Sequence, residues 1–216
     1  MAMKPHRIYL ILGGVSLVSL IGLLLLLPRM PEQIPIHWNS AGEIDSYGSR
    51  WMLLLFGALP LLMLGLFQAL PRMDPRKENY QKHMGPYLLL TALITVLMIA
   101  AGWITALSAL GVSVPVSRIL PVMIGVLFVC LGNYMPRIRF NYTFGIRTPW
   151  TLASEAVWKK THRAGGIGFV LCGAVLLLAA VLPWEWLPSL AAAALGMLVV
   201  FLFLYSWLLY RKEEHS

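Results

Sequence analysis

Apolar residues in this chain come in long unbroken runs, not at the two-residue spacing of a half-buried strand or the 3.6-residue spacing of a surface helix. Six runs stand out: Ile8 to Leu27, Trp51 to Leu70, Tyr87 to Leu110, Ile119 to Met135, Gly165 to Leu182 and Leu187 to Tyr210. Each is close to the roughly 20 residues with which a helix crosses the hydrocarbon core of a bilayer. The pattern predicts an all-α membrane protein with six transmembrane helices. The polar segments between the runs leave no room for a separate soluble domain.

An even number of spans places both termini on one side, and the distribution of Lys and Arg says which, because basic residues flanking spans stay in the cytoplasm. Lys4, Arg7, Arg72, Arg76, Lys77, Lys82, Arg137, Arg139, Arg147, Lys159, Lys160, Arg163, Arg211 and Lys212 fall on one face; only Arg29, Arg50 and Arg118 fall on the other. Both termini are therefore expected in the cytoplasm, with the loops at 28–50, 111–118 and 183–186 outside. Trp51, Trp103, Trp184, Trp186, Trp207 and Tyr210 lie near run ends, where amphipathic aromatics meet lipid headgroups. The first run follows Lys4 and Arg7 and superficially resembles a secretory signal. It is longer than an h-region and ends at Pro28-Arg29 without a small-residue cleavage site, so it is expected to be retained as a span.

Composition agrees with this reading: the 216 residues are 59% hydrophobic and 12% charged, with a mean hydropathy of +0.75. The net charge of +8 would point to nucleic acid in a soluble protein. Here the cations sit between apolar runs, where topology and membrane lipids account for them, and no direct nucleic acid binding is expected. Cys130 and Cys172 lie inside apolar runs without a CxxC partner or nearby His, and read as small packing residues. Gly13, Ser16, Ser19 and Gly22 in the first run, and Thr91, Thr95, Gly102 and Thr105 in the third, have the spacing of close helix packing.

Two connections are far richer than a chain reversal needs. The outer one, residues 28–50, is stiffened by Pro28, Pro31 and Pro35 and carries turn chemistry at Asn39-Ser40-Ala41-Gly42, so a structured outward-facing element is expected. His37, Glu43 and Asp45 there admit two readings: a metal or acid-base site, or hydrogen-bonding groups that hold the loop's shape and meet a ligand. Spacings of six and eight residues match no known ligand pattern, which favours the second, with no metal and no cofactor. The inner connection, residues 136–164, holds Thr148-Pro149, an N-cap followed by proline at the first helical position. A short amphipathic helix is expected from there to about Arg163, between spans four and five, lying on the inner membrane surface with Trp150, Ala153, Val157 and Thr161 on one side. Lys159 and Lys160 read as headgroup contacts. Arg147, in a rigid turn between Gly145-Ile146 and Thr148-Pro149, is placed to bond backbone carbonyls or a partner's carboxylate.

The outer pattern Ile34-Pro35-x-His37-Trp38-Asn39-x-x-Gly42-Glu43-x-Asp45-x-Tyr47 resembles the N-terminal His-Trp-Asn module of SdpI-like membrane proteins. The inner pattern Asn133-Tyr134-Met135-Pro136, then Asn141-Tyr142-x-x-Gly145-Ile146-Arg147-Thr148-Pro149-Trp150-Thr151-Leu152, then Val157-Trp158 and Thr161-His162-Arg163, resembles the core motif of the SdpI family of membrane immunity and signalling proteins. The resemblance implies a two-span module at 1–86 and a four-span SdpI-like module at 87–216 within one structural unit, in a bacterial cytoplasmic membrane. It also implies resistance to a secreted peptide toxin bound at the outer loop, and a relay to a cytoplasmic transcriptional repressor through the inner loop.

Two other functions compete. Six spans could enclose a transport path for a peptide or small molecule, but no Asp, Glu, Lys or Arg lies well inside a run, where coupled transporters commonly place them. An enzyme would need a nucleophile or metal constellation, and the chain has no HExxH, no GxSxG and no P-loop. The protein is expected not to be an enzyme.

Overall fold

A backbone in lipid must satisfy its own hydrogen bonds, and long apolar runs do so as helices. The computed structural model describes residues 5–184 and 186–214; Lys4 lies outside them. Its elements are α1 (Pro5–Leu26), β1 (Gln33–Trp38), β2 (Ile44–Ser49), α2 (Met52–Met73), α3 (Lys77–Ala109), α4 (Val116–Tyr134), α5 (Pro149–Ala153), α6 (Glu155–Val181) and α7 (Leu187–Glu214). Six of them (α1, α2, α3, α4, α6 and α7) are long and apolar enough to cross a membrane, with mean hydropathies of 1.8 to 2.7 over their spanning windows. Leu10, Val18, Leu25 and Val181 are exposed, which suits a surface whose solvent is lipid.

α3 and α6 begin well before the apolar runs they contain, at Lys77 and Glu155 instead of Tyr87 and Gly165. Their first turns are polar, so hydropathy does not mark them. In α3 the helix is interrupted at His83 (φ −130°, ψ 23°), three residues before Pro86. Proline lacks the amide hydrogen and crowds the preceding turn, which accounts for the kink.

The helix expected from Pro149 to Arg163 is instead two. Ser154 leaves helical geometry (φ −136°, ψ 126°), ending α5 and capping α6 by accepting from the Val157 amide at 3.2 Å. Residues 155–163 are thus the opening turns of the α6 span, and Val157, Trp158, Thr161 and His162 are buried in it.

Tertiary contacts divide the chain into two compact units, discontinuous in sequence: Met1–Ala69 with Leu88–Leu120, and Leu70–Tyr87 with Pro121–Ser216. In the first, Leu23, Met30, Ile34, Leu53 and Ala106 form the core. Ser16 and Ser19 of α1 are buried there, and Ser19 Oγ accepts from the indole of Trp103 at 2.9 Å. Trp103 is therefore a packing residue within its unit, where the sequence pattern had placed it among the headgroup aromatics. Its indole N–H needs an acceptor once withdrawn from water, and Ser19 supplies it.

In the second unit α4 and α6 touch through glycines. Gly125 opposes Gly173 and Gly132 opposes Gly166, so the seam repeats after seven residues on each helix. Phe128 and Phe169 pack edge to face between the two glycine pairs, with centroids 5.4 Å apart. Met135, Ile138, Phe140 and Trp158 form the buried apolar cluster of this unit.

Candidate functional site

The outer loop is a two-stranded antiparallel hairpin, with Gln33 opposite Ser49, Ile34 opposite Gly48 and Pro35 opposite Tyr47, and an irregular register at His37. β-branched Ile34 and Ile36 suit the pleated backbone, and Ile34 is fully buried in the core of the first unit. Composition had suggested only a shaped loop; the strands are short and proline-broken, so alternation alone did not reveal them.

The turn is built by Asn39. Its Oδ1 accepts from the amides of Ala41 and Glu43, both at 3.0 Å, and its Nδ2 donates to Glu43 Oε2 at 3.0 Å. Gly42, at φ +82°, supplies the left-handed residue; a Cβ there would also stand 2.8 Å from that of Ser117. Across the strands His37 Nδ1 lies 2.6 Å from Asp45 Oδ1, both side chains open to solvent. Four of the polar residues singled out in the sequence therefore serve the hairpin's shape: Asn39 and Glu43 pair with each other, while Asp45 pairs with His37. Among the described residues no group of three His, Cys, Asp or Glu could hold a metal ion. Tyr47 is exposed, and Trp38 lines a shallow cavity of about 300 Å³ with Gly42, Glu43 and residues 111–114. Among the described residues, these two aromatics have no side-chain hydrogen bond within the hairpin, unlike the exposed His37 and Asp45.

The inner loop is organised around a buried amide and a buried acid. Asn141, fully buried, accepts at Oδ1 from the amides of Thr143 (3.0 Å) and Phe144 (2.6 Å) and donates to the Arg139 carbonyl. Asp74, from the turn before α3, accepts at Oδ2 from the Tyr142 amide (2.8 Å) and Thr143 Oγ1 (2.9 Å), and at Oδ1 from the Arg76 amide (2.8 Å). A buried carboxylate is tolerated when donors surround it, and Asp74 has three. Tyr80 hydroxyl bonds Thr143, Asn79 donates to the Phe140 carbonyl at 2.8 Å, and His83 Nδ1 accepts from the Arg139 amide at 3.3 Å. Asp74, Asn79, Tyr80 and His83 were not singled out in the sequence, because they sit sixty or so positions away from their partners.

The other half of the loop closes on α6. Gly145 adopts φ +116°, and the space a side chain would need is filled by the rings of Trp158 and His162. Those rings stack 4.0 Å apart on successive turns. His162 Nε2 accepts from the Ile146 amide at 3.0 Å, so its proton resides on Nδ1 and is donated to the Trp158 carbonyl at 2.9 Å. Trp158 Nε1 donates to the Ile138 carbonyl. Arg147 donates to the Tyr142 carbonyl at 2.8 Å, so its guanidinium closes the loop on itself. Thr148 caps α5 in a reciprocal box with Thr151, Pro149 follows at the first helical position, and Thr148 Oγ1 donates to Ser206 Oγ at 2.9 Å. Trp150 packs edge to face on Phe203, with centroids 4.8 Å apart.

Asn133 and Arg163 stand apart from this assembly. Both are exposed, and they line a separate apolar groove of about 350 Å³ beside Gly132 and Gly166.

Residues 137–206 match the SdpI/YfhL protein family, a range that includes Asn141, Gly145, Arg147 and the Trp158-His162 stack. Over 214 residues, 99% of this chain and 100% of the other, the sequence is 26% identical to "Immunity protein SdpI" of Bacillus subtilis (strain 168). Both findings are likenesses to the SdpI family, one in the second half of the chain and one along its whole length. Residues 14–64, which include the whole hairpin, match a domain of unknown function, DUF1648. No solved structure matches the chain. With six helices long and apolar enough to cross a membrane, and with these likenesses, the chain is a multi-pass protein of the bacterial membrane.

Proposed function

We propose that this protein is a membrane immunity protein that protects the cell carrying it against a secreted peptide, and that it acts by binding, without catalysis. The observation that carries the reading is the similarity to Immunity protein SdpI along essentially the whole chain, both loops included. Basic-residue placement supports a hairpin outside and a 136–154 loop in the cytoplasm. In this reading Trp38 and Tyr47 meet the peptide, on a frame held by Asn39, Glu43 and the His37–Asp45 pair. The inner loop, pinned by Asp74 and His162, presents a fixed surface to a cytoplasmic regulator. Relay between them requires that the peptide favour one arrangement of the helices over another, since equal affinity for both shifts nothing.

The test is survival. Cells of Bacillus subtilis strain 168 lacking their own SdpI and expressing this chain are challenged with culture supernatant of the parent strain. Protection is expected, and lost on combined Trp38→Ala and Tyr47→Ala substitution at unchanged membrane level. Killing of cells that hold the unmodified chain at full level in the membrane overturns the immunity reading. Protection unaffected by the double substitution overturns the hairpin's role.

A further inference from the structure

A cavity of about 690 Å³ in the second unit lies between the first turns of α3, the 136–140 segment and the first turns of α6. Five Lys or Arg residues line it against two Glu. One carboxylate is already engaged: Arg76 reaches Glu155 at 3.6 Å and lies over the Phe140 ring at 5.2 Å. Arg137 leans on the Tyr134 ring. Among the described residues, the Arg139 guanidinium and the Lys159 ammonium have neither an ion-pair partner nor a side-chain hydrogen bond. The walls are fixed from behind by the bonds of Asn79 to Phe140 and of Trp158 to Ile138. A rigid concavity with excess positive charge repels itself unless an anion enters.

We infer that this cavity binds a phosphate-bearing anion, the headgroup of an anionic phospholipid. Three features select phosphate chemistry. Guanidinium and ammonium groups converge on one concave space, the combination that holds tetrahedral oxyanions by paired and point-charge contacts. The lining also includes the apolar Pro136, Ile138 and Phe140, against which glycerol carbons can rest beside the phosphate. α4 also ends at Tyr134, next to Pro136 and Arg137 of the lining, so acyl chains can run on along that span. Basic pockets between spanning helices are where anionic headgroups bind specifically, beyond the diffuse attraction of a charged surface.

The test titrates the full chain in neutral detergent with dihexanoyl phosphatidylglycerol, dihexanoyl phosphatidylcholine, inorganic phosphate and a poly-glutamate peptide. Phosphatidylglycerol is expected to bind at least about tenfold more tightly than phosphatidylcholine, and the Arg139→Ala, Lys159→Ala pair to lose about tenfold in affinity. Arg139→Lys should retain most of it. Lys160→Ala with Arg163→Ala removes the same charge from exposed positions outside the cavity and should change little. If phosphate competes fully and binds as well as the lipid, the phosphate site stands and its ligand is a soluble phosphate. Equal losses from both double variants mean diffuse attraction and overturn the site. Tighter binding of the glutamate peptide than of either phosphate ligand overturns it in favour of a protein partner.

Discussion

Asp74 Oδ2 takes the backbone amide of Tyr142 at 2.8 Å, so a carboxylate from the turn between α2 and α3 fixes a loop 68 positions further along the chain. The same atom accepts from the Thr143 hydroxyl, and Oδ1 from the Arg76 amide. Replacing Asp74 by Ala strands buried donors, a loss on the order of 1 to 3 kcal/mol for each one left unsatisfied. Trypsin should then cut the 139–147 segment of Asp74→Ala faster than that of the unmodified chain. Asp74→Asn, which keeps an acceptor, should fall between them. Equal cutting rates for all three would remove Asp74 from this role.

The glycine seam offers a steric test. A Cβ on Gly132 would stand 2.5 Å from the Gly166 carbonyl oxygen, and one on Gly166 2.7 Å from that of Gly132. Backbone cannot yield as a flexible side chain does, so Gly132→Ala or Gly166→Ala should cost on the order of 1 to 3 kcal/mol by overpacking. Thermal unfolding in detergent should show a clear drop for each. Gly65, with open space around it in α2, is the control. Gly65→Ala should leave the transition unchanged or raise it, since alanine favours a helix by roughly 0.5 to 1 kcal/mol.

At Gly145 two penalties coincide. Its φ of +116° disfavours any side chain, and the space a Cβ would take is held by His162 and Trp158. Gly145→Ala should lower the amount of folded protein recovered from membranes more than Gly13→Ala, which meets nothing within 4 Å. Similar recovery of both would show that the loop relaxes more easily than its hydrogen bonds imply.

The hairpin separates shape from contact. Asn39→Ala removes the acceptor of two turn amides and should expose the 39–43 turn to proteolysis. His37→Ala breaks only a solvent-exposed pair, worth about 1 kcal/mol or less, and should leave proteolysis and thermal stability nearly unchanged. If His37→Ala instead opened the hairpin, the cross-strand pair would matter more than the turn.

How much of this was legible in sequence follows from the range of each interaction. Six spans could be read because lipid imposes one condition on every residue of a run. The N-terminal cap at Thr148 with Pro149, and the turn at Asn39–Gly42, could be read because their hydrogen bonds close within a few residues. The break at Ser154 was missed: serine reads equally well inside a polar helix and as a cap, and only the packing of Trp150 against Phe203 and of Trp158 against the inner loop separates the two. The partners of the inner loop were illegible for a different reason. Nothing near Asp74, Asn79, Tyr80 or His83 signals that they bind a loop after the fourth span, since that depends on how the helices assemble.

Asn39 spends its side chain on its own turn, with a consequence for how such a protein changes over time. The turn amides are held by Asn39, and Trp38 and Tyr47 take no part in those bonds. Tyr47 and Trp38 can be exchanged without touching the turn amides, so one frame is able to carry a succession of different side chains. On the proposed reading of the hairpin as the peptide-binding face, a lineage confronted with a new peptide needs to alter only those side chains.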